Sequence, residues 1–101
     1  MIIAVDFDGT LTIEVGVRND PSTWVPTHDK KPNEKIVGWI NKMFKEGHTI
    51  IVHTARWQSE YAKVRAWLEV NKVAYHAIVC GKLIADVYLD DKAMKLEDVN
   101  L

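Results

Sequence analysis

The apolar run Ile2-Ile3-Ala4-Val5 stops abruptly at Asp6-Phe7-Asp8-Gly9-Thr10, and that junction constrains the fold more than any other feature of the chain. A continuous run has no polar face, so it suits a parallel strand packed on both sides. Such a strand delivers its terminal carboxylates to the carboxyl edge of a sheet, where open α/β folds bind ligands. The rest of the sequence can be read for what it brings to the same edge.

Asn33 caps a predicted helix in which Ile36, Val37, Ile40, Met43 and Phe44 recur at helical spacing, and Gly47 supplies a left-handed stop. Thr49–Val52 is a second β-branched run, ending at His53-Thr54, and it closes a strand–helix–strand unit with a right-handed crossover. Ser59 caps a second helix with Tyr61, Val64, Trp67 and Leu68 on one face and Asn71 at its exit. Tyr75–Val79 gives a third strand, and Ala85–Leu89 a fourth that ends in Asp90-Asp91. The expected fold is therefore α/β: a Rossmann-like open parallel sheet of about four strands with helices on both faces.

Residues 11–32 hold three prolines and no sustained period, so they read as a long loop or flap. No repeat or linker divides the remainder, and 101 residues fit a single domain spanning 1–101. With 48% apolar and 27% charged residues, the composition is that of an ordinary globular protein. Asp6 interrupts the first apolar run too early for a membrane span or signal peptide, and the expected location is the cytoplasm. Cys80 is the single cysteine, which excludes an internal disulfide and a cysteine zinc cluster, and packing is its expected role. The net charge of −1 offers no global attraction to polyanions, and Lys30, Lys31, Lys35, Lys42 and Lys45 read as a solvated face.

Three strand ends carry acidic or hydroxylic groups: Asp6 and Asp8, Thr54, and Asp90 with Asp91. Four gathered carboxylates repel one another, and a hard divalent cation with oxygen ligands relieves that repulsion. Magnesium is the expected ion, since no histidine or cysteine spacing competes for a transition metal. Asp6 and Asp8, two apart on an extended backbone, fall on one side with Phe7 on the other. One carboxylate can then attack phosphorus while its neighbour moves protons. Gly9 permits a sharp turn and, with Thr10, offers backbone N–H groups to a phosphate. Thr54 and Lys82 are candidate partners for the transferring oxygens. Arg56 reads either as a clamp on a substrate anion or as an exposed helix-entry residue. Trp24, Trp57 and Tyr61 are candidates for a stacking platform, although aromatic residues more often pack.

The ordered series Asp6-Phe7-Asp8-Gly9-Thr10, Thr54, Lys82 and Asp90-Asp91 resembles the four motifs of haloacid dehalogenase superfamily phosphatases and spans nearly the whole chain. The resemblance implies Asp6 as nucleophile, Asp8 as general acid/base, and Thr54 and Lys82 as phosphate ligands. It assigns Asp90 and Asp91 as the magnesium anchor, completed by Asp6 and the Asp8 carbonyl. Residues 81–93 are similar to small bacterial members associated with capsule and surface-polysaccharide synthesis. Members of the superfamily usually insert a cap domain after the first or second motif, and neither gap here has room. A capless type is expected, with selectivity from the 11–32 flap or from a neighbouring copy in a homo-oligomer.

The expected substrate is a small metabolite or sugar phosphate. A nucleic acid 3′-phosphate stands second, because near-neutral charge disfavours a polyanion. A signalling receiver would need its phospho-accepting aspartate on an interior strand, yet the second and third strands end in His53-Thr54 and Val79-Cys80. A catalytically idle binding domain is disfavoured because every catalytic position holds a competent residue.

Overall fold

The computed structural model describes residues 1–17 and 19–81. The predicted fourth strand, Lys82, Asp90 and Asp91 lie outside the described residues. Within them the strands are β1 (Ile2–Asp6), β2 (Thr12–Ile13), β3 (Lys31–Pro32), β4 (Thr49–Thr54) and β5 (Ala77–Cys80). The helices are α1 (Glu34–Lys45) and α2 (Tyr61–Val70).

Strands β1, β4 and β5 form a parallel sheet in the order β1-β4-β5. Pairing of Val5 with Val52, and of Val52 with Ile78, levels the three carboxyl ends. On β4 the residues Ile50, Val52 and Thr54 are buried while their neighbours are not. The core joins this face and Val5 of β1 to Ile36, Val37 and Ile40 of α1 and to Val64, Trp67 and Leu68 of α2. Both helices therefore cover the same face, as two successive right-handed crossovers in one direction require. The expectation of helices on both faces is met on one side by the described residues. Ile2, at 74% exposed, shows that the start of β1 is not enclosed as its apolar run suggests.

Helix α1 begins where Asn33 Oδ1 accepts the Ile36 N–H, and Glu34 in the first turn and Lys42 and Lys45 in the last complement the helix dipole. It ends in a Schellman motif: Gly47 at φ +94° donates to Phe44 C=O, and His48 donates to Met43 C=O. Helix α2 closes the same way, with Val73 N–H on Leu68 C=O, but its left-handed residue is Lys72 at φ 56°. Ser59 is not its cap. A short 3-10 turn over Gln58–Glu60 leads directly into α2, and the side chain of Glu60 at its N-cap makes no capping bond. Asn41 of α1 ties that helix to the segment leaving α2, donating to Lys72 C=O and accepting from Ala74 N–H.

The segment expected as loop or flap has structure of its own. Thr12 pairs with Pro32 and Ile13 with Lys31 in an antiparallel two-residue ladder. Between these strands lie 3-10 turns at Pro21–Thr23 and Thr27–Asp29. Two residues per strand are too few to register as an alternating pattern, so the ladder leaves no period in the sequence.

Candidate active site

Asp6 is the last residue of β1, beside His53, and Thr54 ends β4 beside Cys80. The chain does not run on extended past Asp6. It enters a wide turn over Phe7–Leu11, closed by the Thr12 N–H on Phe7 C=O, with Gly9 at φ +79°. Only glycine takes that φ without strain. Phe7 is fully buried against Trp67, edge to face at 5.2 Å, and anchors the turn. Asp6 and Asp8 flank this anchor, both half-buried, and Asp6 accepts the Phe7 N–H at 3.1 Å.

Asp8 is held by Arg56 in a two-point grip: Nε donates to Oδ2 at 2.8 Å and Nη2 to Oδ1 at 2.9 Å. The third guanidinium nitrogen donates to Thr27 Oγ1 at 2.7 Å, and the cation lies 5.2 Å from the centre of the Phe7 ring. Burial works against the Arg56 charge, but the hydrogen bond and charge of Asp8, with Glu60 and Glu14 behind, outweigh it and raise its pKa. Arg56 is thus a permanent cation, and its planar fork fixes the carboxylate plane. Its own N–H donates to Thr54 Oγ1 at 3.1 Å. Thr54 is 1% exposed, and having accepted that bond it retains its O–H as a donor.

A polar chain runs from the turn into the flap. Gly9 N–H donates to Thr12 Oγ1, Thr12 donates to Glu14 Oε1 at 2.9 Å, and Lys30 Nζ bonds both Glu14 oxygens at 2.8 and 3.0 Å. Lys30 lies 3.6 Å from Asp8 Oδ1, which closes the circuit. The Lys30 carbonyl is fixed in turn by the Trp67 indole N–H at 2.9 Å. The Gly9 N–H, expected to serve a phosphate, is engaged here by Thr12. Thr10 is half-buried in the turn. Asp8, Arg56, Lys30 and Trp24 line one cavity of about 910 Å³, and Asp8, Glu14 and Trp24 a second of about 550 Å³.

A family model described as the polynucleotide kinase PNKP phosphatase domain, within the haloacid dehalogenase superfamily, matches residues 1–97. The chain belongs to that family. It is accordingly a phosphatase of the haloacid dehalogenase superfamily. The fold of this phosphatase is shared by a crystal structure of an MCSG target from Vibrio cholerae, at 24% identity and TM-score 0.76, covering 100% of this chain and 91% of that one. A component of a Pnkp1/Rnl/Hen1 complex shares it at 16% identity and TM-score 0.64, covering 89% of this chain and 30% of that one. No curated protein matches significantly.

Within this phosphatase the described residues bring Asp6, Asp8, Thr54 and Arg56 to one edge. Lys82, Asp90 and Asp91 fall outside them. Among the described residues no three acidic, histidine or cysteine side chains gather as a metal cluster. Asp6 and Asp8 offer carboxylate oxygens, hard donors of the kind that would fit a magnesium ion, which takes one or two carboxylates and completes its shell with water and phosphate. Sequence reasoning missed Thr12, Glu14 and Thr27, read Lys30 as part of a solvated face although its side chain is largely buried against Glu14, and read Arg56 as a substrate clamp or an exposed helix-entry residue without its contact to Asp8. The sequence separation of 48 between Asp8 and Arg56 leaves no local pattern that could reveal their contact.

Proposed function

We propose that this phosphatase hydrolyses the phosphomonoester of a small metabolite through a phosphorylated Asp6. An Asp6 carboxylate oxygen attacks phosphorus, the bond to the leaving-group oxygen breaks, and that oxygen takes a proton from Asp8. Water then attacks the aspartyl phosphate and gives its proton to Asp8, while the phosphorus–Asp6 bond breaks and releases phosphate. The observation that carries this reading is the unequal treatment of two neighbouring aspartates. Asp8 is fixed in place at both oxygens by Arg56 and frees one of them to carry a proton, while Asp6 ends β1, where the sheet presents its ligand.

Thr54 and Lys82 are assigned to the transferring oxygens. Asp6, the Asp8 carbonyl, Asp90 and Asp91 are the residues that would hold magnesium. The ion, when bound, neutralises charge on those oxygens and lets an anionic substrate approach clustered carboxylates.

A sugar phosphate heads the substrate class, supported by the similarity of residues 81–93 to capsule-associated members. The family description favours a second reading, a polynucleotide 3′-phosphate. Against it stand a net charge of −1 and the pairing of Arg56 and Lys30 with acidic side chains. Initial rates on an aryl phosphate with magnesium and with excess chelator test the chemistry, and full activity in chelator would overturn the metal assignment. A panel of sugar phosphates and 3′-phosphorylated oligonucleotides separates the substrates. Preference for the oligonucleotide, with strong inhibition by competing DNA, would reverse their order.

A further inference from the structure

The loop between β2 and the Thr27–Asp29 turn holds one large ring in a fixed place at the site. Trp24 is 55% exposed, yet its indole N–H is already spent on Val17 C=O at 2.9 Å. The polar edge of the ring is thus tied down, and what it offers a ligand is its apolar face. The loop that carries it is closely built. Thr23 Oγ1 accepts the Val17 N–H and donates to Asp20 C=O, and Asp20 accepts from both the backbone N–H and the hydroxyl of Ser22. Gly16, at φ +98°, packs so tightly that a Cβ there would stand 2.5 Å from the Thr23 carbonyl oxygen. Exposure alone decides nothing, since Trp57 is 81% exposed and lines neither cavity. Trp24 lines both, and Asp8 does too.

We propose that Trp24 is the leaving-group platform of the site, stacking a ring of the substrate that presents a flat apolar face. This rests on the reading of Asp6 and Asp8 as the pair that handles the phosphoryl group. A ring beyond the ester oxygen would lie against the indole while the phosphate reached the strand ends. An open-chain leaving group has no face to offer it. A sugar ring and an aromatic base share the required chemistry.

The test has two arms. In the first, kcat/KM is measured for glucose 1-phosphate, AMP and glycerol phosphate. Trp24→Ala should lower the ratio of ring-bearing to open-chain substrate by about tenfold, the scale of losing one stacking contact, and Trp24→Phe should restore most of it. In the second, the Trp24 indole N–H resonance, assigned by its absence in Trp24→Phe, is followed as each compound is added to the wild-type protein. It should move with a ring-bearing ester and stay in place with glycerol phosphate. A shift with AMP alone selects the aromatic base, and a shift with glucose 1-phosphate alone selects the sugar. An unchanged kinetic ratio, or a resonance that ignores all three or answers glycerol phosphate equally, overturns the platform. Loss of the phosphatase reading would instead appear as no hydrolysis of any ester, and the resonance arm still decides the role of Trp24.

Discussion

Arg56 grips both carboxylate oxygens of Asp8, at 2.8 and 2.9 Å, across 48 residues of chain. A proton on either oxygen would face a guanidinium N–H, donor against donor, so Asp8 must turn one oxygen out of the grip to carry it. Asp8 is 37% exposed, which leaves room for that turn, and the Nε bond to Oδ2 can hold while Oδ1 swings. Arg56→Ala should therefore lower kcat about tenfold or more through lost orientation, with a smaller change in KM. The stability cost should be about 1–2 kcal/mol, below that of a fully buried pair because water screens Asp8. Arg56→Lys should recover charge but not the planar fork, and so only part of the rate. Steady-state kinetics with a thermal melt decide this. Equal rates in all three proteins would make the grip merely structural.

Trp67 connects the core to the catalytic edge, since its ring packs on Phe7 while its N–H holds the Lys30 carbonyl. Trp67→Phe keeps much of the apolar contact and removes the donor. Stability should fall by about 1–3 kcal/mol from the unpaired carbonyl and the smaller ring. Turnover should drop as well, because Lys30 and its contact with Asp8 loosen. A variant that melts lower but keeps wild-type kcat would show that the Lys30 segment is positioned without Trp67.

Lys72 occupies the left-handed position that ends α2, where its side chain costs roughly 1–2 kcal/mol relative to glycine. Lys72→Gly relieves that strain but frees the unfolded chain, so the net gain should be about 0.5–1 kcal/mol. In a domain of this size that raises the melting temperature by a few degrees. The bond from Asn41 goes to the backbone carbonyl of Lys72 and survives the change. A lower melting temperature would mean that the lysine side chain contributes more than its backbone strain removes.

The sheet and α1 were legible because their signals are local. An apolar run ends in carboxylates, Asn33 precedes a helical period, and Gly47 closes it. The start of α2 was misread because Ser59 looks like a cap, while the chain uses a 3-10 turn that needs none. The C-terminal ends of β1 and β4 placed Asp6 and Thr54 at one edge, as their positions after apolar runs imply. The grip of Arg56, the chain from Gly9 through Thr12 and Glu14 to Lys30, and the role of His76, whose ring accepts the Ile50 N–H, all join distant segments. Such contacts depend on how the flap folds back, and the two-residue ladder of β2 and β3 is too short to announce it.

Asp6 and Asp8 lie two residues apart and are alike in composition, yet the proposed chemistry gives them unequal roles and so separates their variants. Asp6→Ala removes the nucleophile, so no phosphoenzyme can form with any substrate and activity should vanish. Asp8→Ala removes the proton carrier and leaves Arg56 and Lys30 without that carboxylate. An activated aryl phosphate, whose leaving group needs little protonation, should still phosphorylate Asp6 slowly. Water attack then lacks its base, and the acyl phosphate should accumulate. Intact mass after an acid quench should show the added phosphate in Asp8→Ala, lost on treatment with hydroxylamine, and never in Asp6→Ala. Hydrolysis by Asp6→Ala, or phosphate carried by Asp6→Ala and not by Asp8→Ala, would show that the roles are assigned to the wrong residues.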